Sequence, residues 1–154
     1  MRAVVQRVNY AKLTVDGNVV SSINKGLLIL LGVKNTDTEK EAKYFADKLA
    51  KLRIFEDSSG KMNLCASDVG AEFLLVSNFT LYGDAKGSNR PSFINAGRPE
   101  MAEPLYNLVL NLLNRGVSKA EIARLMGCSW TTLHRYINEF ITEQKSTSTP
   151  TVLN

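Results

Sequence analysis

From Gly26 to Val33 the chain reads Gly-Leu-Leu-Ile-Leu-Leu-Gly-Val, without one polar side chain. The run Leu27–Val33 has the length of a strand. It is apolar at successive positions, not only at alternate ones, so both of its faces belong in a core and it predicts a buried central strand. Its unbroken apolar part, Leu27–Leu31, is far below the ~20 residues needed to span a bilayer.

The flanking sequence supplies partners for that strand. Residues 2–8 are rich in β-branched side chains and read as a strand, and residues 11–15 continue extended. Asp16-Gly17-Asn18 marks a hairpin, because Asp and Gly tolerate the positive φ that tight hairpin turns require; Val19–Ile23 is the return strand, and Lys25-Gly26 punctuates the chain. After Thr36 and Asp37, both suitable N-caps, Ala42, Phe45, Ala46, Leu49 and Leu52 recur at helical spacing, predicting a helix over 38–53. Residues 54–56 read as extended, 57–60 as a turn and 72–77 as a strand. A second helix runs from Pro99 to about Leu113, with Ala102, Leu105, Leu108, Val109 and Leu112 on one stripe. The fold class is α+β, and because its strands come mostly as hairpins the sheet is expected to be largely antiparallel.

At 154 residues the chain has room for one domain and a short appendage, and 44% apolar against 22% charged residues suit a packed core. Residues 1–97 hold 13 Lys/Arg against 10 Asp/Glu, a net of +3; residues 98–154 hold 6 against 5, a net of +1. That balance permits a nucleic-acid partner without demanding one. Cys65 and Cys128 match no zinc or redox spacing and read as reduced thiols. With one early Arg and no apolar leader, the expectation is a soluble cytoplasmic protein without membrane association.

Familiar catalytic constellations are missing. The one histidine, His134, lies in the tail, so no Ser-His-Asp or Cys-His set forms in residues 1–113. There is no metal-ligand spacing, no Gly-x-Gly-x-x-Gly and no P-loop, so an enzyme built here is expected to work without metal or cofactor. One segment stands out, Ser77-Asn78-Phe79-Thr80-Leu81-Tyr82-Gly83-Asp84, which leaves a buried strand for a polar loop. Hydroxyls, an amide and exposed backbone N–H groups at a strand end suit an oxyanion; they equally suit a strand end where Thr80 and Asp84 serve a turn. Beyond it, Lys86 and Arg90 flank Gly87 in a loop. They suit a phosphate backbone or, as readily, simple solvation.

Seven motifs taken in order, Met1-Arg-Ala-Val-Val-Gln-Arg-Val8, Val15-Asp-Gly17, Gly26–Val33, Arg53-Ile-Phe-Glu-Asp57, Gly60-Lys-Met-Asn-Leu64, Ser77–Asp84 and Arg90-Pro-Ser-Phe93, resemble the D-aminoacyl-tRNA deacylases over residues 1–113. The resemblance implies an antiparallel, barrel-like α+β fold and a homodimer with active sites at the subunit interface. It implies hydrolysis of the ester joining a D-amino acid, or glycine mischarged on tRNA-Ala, to the tRNA 3′ end, without metal or covalent intermediate. Backbone N–H groups near Phe79 and Thr80 would hold the aminoacyl group and its oxyanion, and the 2′-hydroxyl of the terminal adenosine would help activate water. Ser77 and Asn78 would support the pocket, Arg7 would pack near it, and Lys86 and Arg90 would contact tRNA. Thr80 as a nucleophile is the alternative, and it needs a base.

The sequence departs from the family twice. The family motif Ser-Gln-Phe-Thr has Asn78 as its second residue here, one methylene shorter. Also, the family's closing Asn-x-Gly-Pro-Val-Thr, whose Gly-Pro pair reaches across the dimer to exclude L-amino acids, has no counterpart: the four prolines follow Arg90, Arg98, Glu103 and Thr149. Instead, residues 114–144 resemble the helix-turn-helix of site-specific recombinases. Ser118 and Glu121 form a capping box, Ala123 permits close helix approach, Gly127 turns and Leu133 packs inward. In that reading Trp130, Thr131, His134 and Arg135 face DNA; the other reading is a helical hairpin packed on the front domain. Residues 145–154, rich in Ser, Thr and Pro, are expected to be a disordered tail.

Overall fold

The computed structural model describes residues 1–116, a single compact unit. The expected helix-turn-helix, its DNA-facing residues Trp130, Thr131, His134 and Arg135, and the expected tail lie outside the described residues. Strands β1 (Arg2–Val8), β2 (Ala11–Val15), β3 (Asn18–Ile23) and β4 (Gly26–Gly32) lead into helix α1 (Glu39–Ala50). Then come β5 (Phe55–Glu56), β6 (Met62–Leu64), β7 (Glu72–Ser77), a 3-10 turn at Phe79–Tyr82 and helix α2 (Pro99–Gly116). No helix among them is long and apolar enough to cross a membrane.

β4 is the middle strand of a three-stranded sheet ordered β1-β4-β7. It runs antiparallel to β1, with Arg2 opposite Gly32 and Val8 opposite Gly26, and parallel to β7, with Leu27 opposite Phe73 and Leu31 opposite Ser77. The expectation of a largely antiparallel sheet therefore holds for β1/β4, β2/β3 and β5/β6, with β4/β7 as a parallel pair. The reason is the connection: α1 and the β5–β6 hairpin form a long crossover between β4 and β7, which a parallel pair requires. Leu27, Ile29 and Leu31 share one face of β4 and are buried with Ala42, Ala46 and Leu49 of α1 and Leu105, Val109 and Leu113 of α2. On the other face Leu74 and Ile23 are buried, while Val4, opposite Leu30, stays half exposed.

Local chemistry fixes the elements. Asp16 and Gly17 take φ of 49° and 80°, the left-handed pair that turns β2 into β3. The N-cap of α1 is Thr38, not Thr36 or Asp37. The Thr38 hydroxyl accepts from Lys40 N at 3.3 Å, and the Glu41 carboxylate accepts from Thr38 N at 2.8 Å. Asp37 is instead buried, accepting from Lys34 N at 2.6 Å and pairing with the Met1 ammonium at 2.7 Å. Helix α1 stops at Ala50, short of Arg53, because the Leu52 N–H turns back to the Leu49 carbonyl. Pro99 opens α2 at the position where a missing N–H costs nothing, whereas Pro104 lies inside the helix and removes a bond there.

Gly26 does more than punctuate. A Cβ there would lie 2.2 Å from the Glu72 carbonyl oxygen, so β4 and β7 meet at this end because residue 26 has no side chain. Gly26→Ala is expected to destabilise the domain by about 2 kcal/mol or more, the scale of overpacking, read as a lower urea midpoint at unchanged m-value. A pH dependence follows from the caps. Glu41 is held below its usual range chiefly by the Thr38 hydroxyl, and Asp57 chiefly by the Ser59 hydroxyl, then by the Lys61 and Ser59 N–H groups. Between the folded and unfolded titrations the unfolded chain binds more protons, so this stability is present above about pH 5 and is lost as pH falls through the carboxylate range. Urea melts should show stability declining with acidification, less steeply for Glu41→Gln.

Candidate active site

The segment singled out in the sequence sits where the chain leaves β7. Asn78 N–H donates to the Leu31 carbonyl at 2.8 Å, extending the β4/β7 ladder by one bond. The chain then turns sharply through the 3-10 segment, closed by Gly83 N–H to the Thr80 carbonyl at 2.9 Å. Asn78 is the N-cap of that segment: its Oδ1 accepts from Thr80 N at 3.0 Å and also from the Thr80 hydroxyl. A Cβ at residue 32 would lie 3.0 Å from the Asn78 carbonyl oxygen, so Gly32 lets the corner close over the end of β4.

A groove of about 680 Å³ opens beside this corner, between β7, Phe93 and the start of α2. Ser77 and Phe79 line it; Asn78 and Thr80 do not. Its walls are mostly apolar, from Leu13, Leu75, Val76, Phe93 and Ala102, with Arg98, Glu103, Tyr106 and Asn107 adding polar groups. Phe79, 56% exposed, meets Phe93 edge-to-face with ring centroids 5.3 Å apart, and Phe93 packs where a Cβ on Gly83 would be. An apolar groove with few polar groups at a strand end is a common form of small-ligand site.

The other expected residues divide. Asp84 and Ser92 exchange backbone hydrogen bonds of 2.9 and 2.8 Å, closing the loop that carries Lys86 and Arg90. Both side chains are exposed and neither pairs with a carboxylate among the described residues. Arg7, expected to pack near the pocket, is at the other end of the sheet. Its row pairs with Leu27, four residues from the Leu31/Ser77 row, or about 13 Å at the usual strand rise. There it donates to the Ile54 carbonyl at 3.0 Å and to Glu56 at 3.1 Å. The antiparallel β1/β4 register brings Arg2 to the corner instead. Its guanidinium donates to the Leu81 carbonyl at 2.9 Å and lies 4.6 Å from the centre of the Tyr82 ring.

The profile described as D-Tyr-tRNA(Tyr) deacylase matches residues 4–129. The chain belongs to the D-Tyr-tRNA(Tyr) deacylase family. It is 56% identical over 114 residues to the D-aminoacyl-tRNA deacylase of Desulfatibacillum aliphaticivorans, covering 74% of this chain and 78% of that one. It is 50% identical over 124 residues to that of Geobacillus sp. (strain WCH70), covering 80% and 82%. Among solved structures, the c-Myc DNA Unwinding Element Binding Protein matches with TM-score 0.70 and 42% identity over 75% of this chain and 77% of that one. A probable eukaryotic D-amino acid tRNA deacylase matches in fold, with TM-score 0.63 and 15% identity over 75% and 67%.

Several groove residues of this deacylase-family chain, Arg98, Glu103, Tyr106 and Asn107 among them, do not stand out in the sequence, and Tyr106 has a defined task. The Tyr106 hydroxyl donates to the Leu75 carbonyl at 2.6 Å, on the side of β7 that no strand covers among the described residues. Burial pushes its phenol pKa up. The hint was an aromatic residue with a polar tip four residues beyond Ala102 on the apolar stripe of α2. Tyr106→Phe leaves that carbonyl without its partner and is expected to cost about 1 kcal/mol, measured by urea unfolding.

Proposed function

We propose that this chain hydrolyses the ester linking a D-amino acid, or glycine, to the 3′ end of tRNA, releasing the tRNA for recharging. The observation that carries the reading is family membership across the part of the chain that builds the groove, with Ser77 and Phe79 on its wall. The apolar wall takes the amino-acid side chain, and Ser77 offers a hydroxyl to its polar end. The backbone N–H of Phe79 is the proposed donor to the ester carbonyl as negative charge builds on its oxygen, joined by the Thr80 N–H to the extent that its bond to Asn78 Oδ1 opens. A water attacks that carbonyl, helped by the 2′-hydroxyl of the terminal adenosine, and the 3′-oxygen leaves. Lys86 and Arg90, on an exposed loop close to Phe93 in sequence, meet the phosphates of the acceptor end. Arg7 takes no part at this corner within one protomer. Thr80 as nucleophile gains no support, because its hydroxyl bonds to an amide oxygen, which is no base at neutral pH.

A homodimer fits the same reading. The β2–β3 hairpin is a two-stranded sheet by itself and exposes Val15, Val19 and Val20, and Val4 is half exposed on the sheet. Isolated hairpins are marginal, and clustered apolar surface favours a partner.

The test is hydrolysis of D-tyrosyl-tRNA and L-tyrosyl-tRNA side by side by the purified protein. The D ester is expected to be lost. Loss of the D ester alone means that some element other than a Gly-Pro pair enforces chirality; loss of both means that catalysis runs without that filter. If a folded sample leaves both esters intact, the hydrolase reading is wrong.

A further inference from the structure

We propose that Asn78 acts as a positioning residue that withholds the Thr80 donors from the groove, so that this chain stabilises its oxyanion with the Phe79 N–H and only a fraction of the second donor. The inference rests on the hydrolase reading above and deepens it. The structure divides four adjacent residues into two pairs. Ser77 and Phe79 line the groove, whereas Asn78 and Thr80 are bonded to each other beside it. Both hydrogens that Thr80 can offer, from its N–H and from its hydroxyl, go to a single acceptor, Asn78 Oδ1.

The base of this latch is fixed. Asn78 N–H is held by the Leu31 carbonyl at 2.8 Å, the Asn78 carbonyl receives Leu81 N–H at 3.4 Å, and Gly32 packs against that carbonyl from below. Only the side chain is free to open. The chain length at this position then decides the outcome. An Asn or Asp side chain closes readily onto the N–H two residues ahead, which is why these residues favour N-caps and turns. Gln, one methylene longer, is not among the preferred N-caps. A Gln at position 78 keeps an amide near the corner but releases Thr80. In Asn78 the cap stabilises the turn while competing with the ester for the donor.

The size of the effect can be bounded. Removing one oxyanion donor lowers kcat by about 10²–10³. Part of a released donor's benefit is offset by a looser turn, so the gain on opening the latch is expected to be on the order of ten-fold.

The experiment compares the full chain with N78Q, N78A and N78D on D-tyrosyl-tRNA, with urea melts to establish that each is folded. Amide exchange at Thr80 is followed by NMR. N78Q and N78A are expected to raise kcat on the order of ten-fold with KM changed less than about two-fold, and to speed Thr80 exchange. N78D keeps the acceptor and adds a negative charge beside the developing oxyanion, so its kcat is expected to fall. Folded N78Q and N78A that turn over no faster than an active parent overturn the proposal. If the parent and all three variants leave the ester intact, the hydrolase reading fails, and Thr80 exchange then judges the latch separately. Exchange as slow in N78A as in the parent means that Asn78 does not hold this N–H, and the latch is rejected on that ground alone.

Discussion

Strand β4 has hydrogen-bonded neighbours on both edges and apolar side chains on both faces, and most of what positions the corner follows from that burial. Leu27, Ile29 and Leu31 are inaccessible to water beneath α1 and α2. Burying a side chain of this size is worth roughly 1.5–3 kcal/mol, and the alternation of a strand makes register all-or-none: a slip by one residue would send these three side chains to the opposite face. The register is therefore fixed at both ends, with Gly26 against Glu72 and Leu31 opposite Ser77. Because β7 runs parallel to β4, its C-terminal end lies beside the C-terminal end of β4. The last ladder bond, Asn78 to Leu31, sets where the chain turns away.

That turn concentrates function and constraint in a few residues. The Phe79–Tyr82 segment is held by β4 through Asn78, by β1 through Arg2 on the Leu81 carbonyl, and by Phe93 against Phe79. Three separated parts of the sequence thus converge on four residues. The groove beside them lies along the side of β7 that has no strand partner among the described residues, where the Tyr106 hydroxyl answers one carbonyl. A side chain from a helix, in place of a neighbouring strand, leaves room for a cavity where a further strand would close the surface.

Local features were legible in the sequence because local physics sets them. Asp16-Gly17 named its hairpin through the positive φ it permits, and the Leu27–Val33 run named the central strand. The segment from Ser77 was recognised as a strand end with polar groups. What stayed hidden depends on distant partners. The parallel pairing of β7 with β4 depends on where a crossover lands, and the three-residue β6 is too short to show a period. Gly26 reads as a punctuation mark until the Glu72 carbonyl is found where its Cβ would be. Thr36, Asp37 and Thr38 are all plausible caps; only the burial of Asp37 against Lys34 and Met1 leaves Thr38 to start the helix. Both Arg2 and Arg7 lie on β1, and the register alone decides that Arg2 reaches the corner.

Asn78 shows how a local rule and a functional demand can compete at one residue. In the sequence it is an amide one methylene shorter than the Gln of the family motif. The structure gives it a task, capping a 3-10 turn through its own side chain. Donors suited to a developing oxyanion must be ordered but unoccupied, since their value lies in being oriented before the charge appears. An N-cap is ordered because its donor is occupied. The two requirements oppose each other at the Thr80 N–H. The cap occupies the Thr80 N–H and no other backbone N–H of the turn, so its stabilising effect and its competition with an oxyanion fall on that one donor.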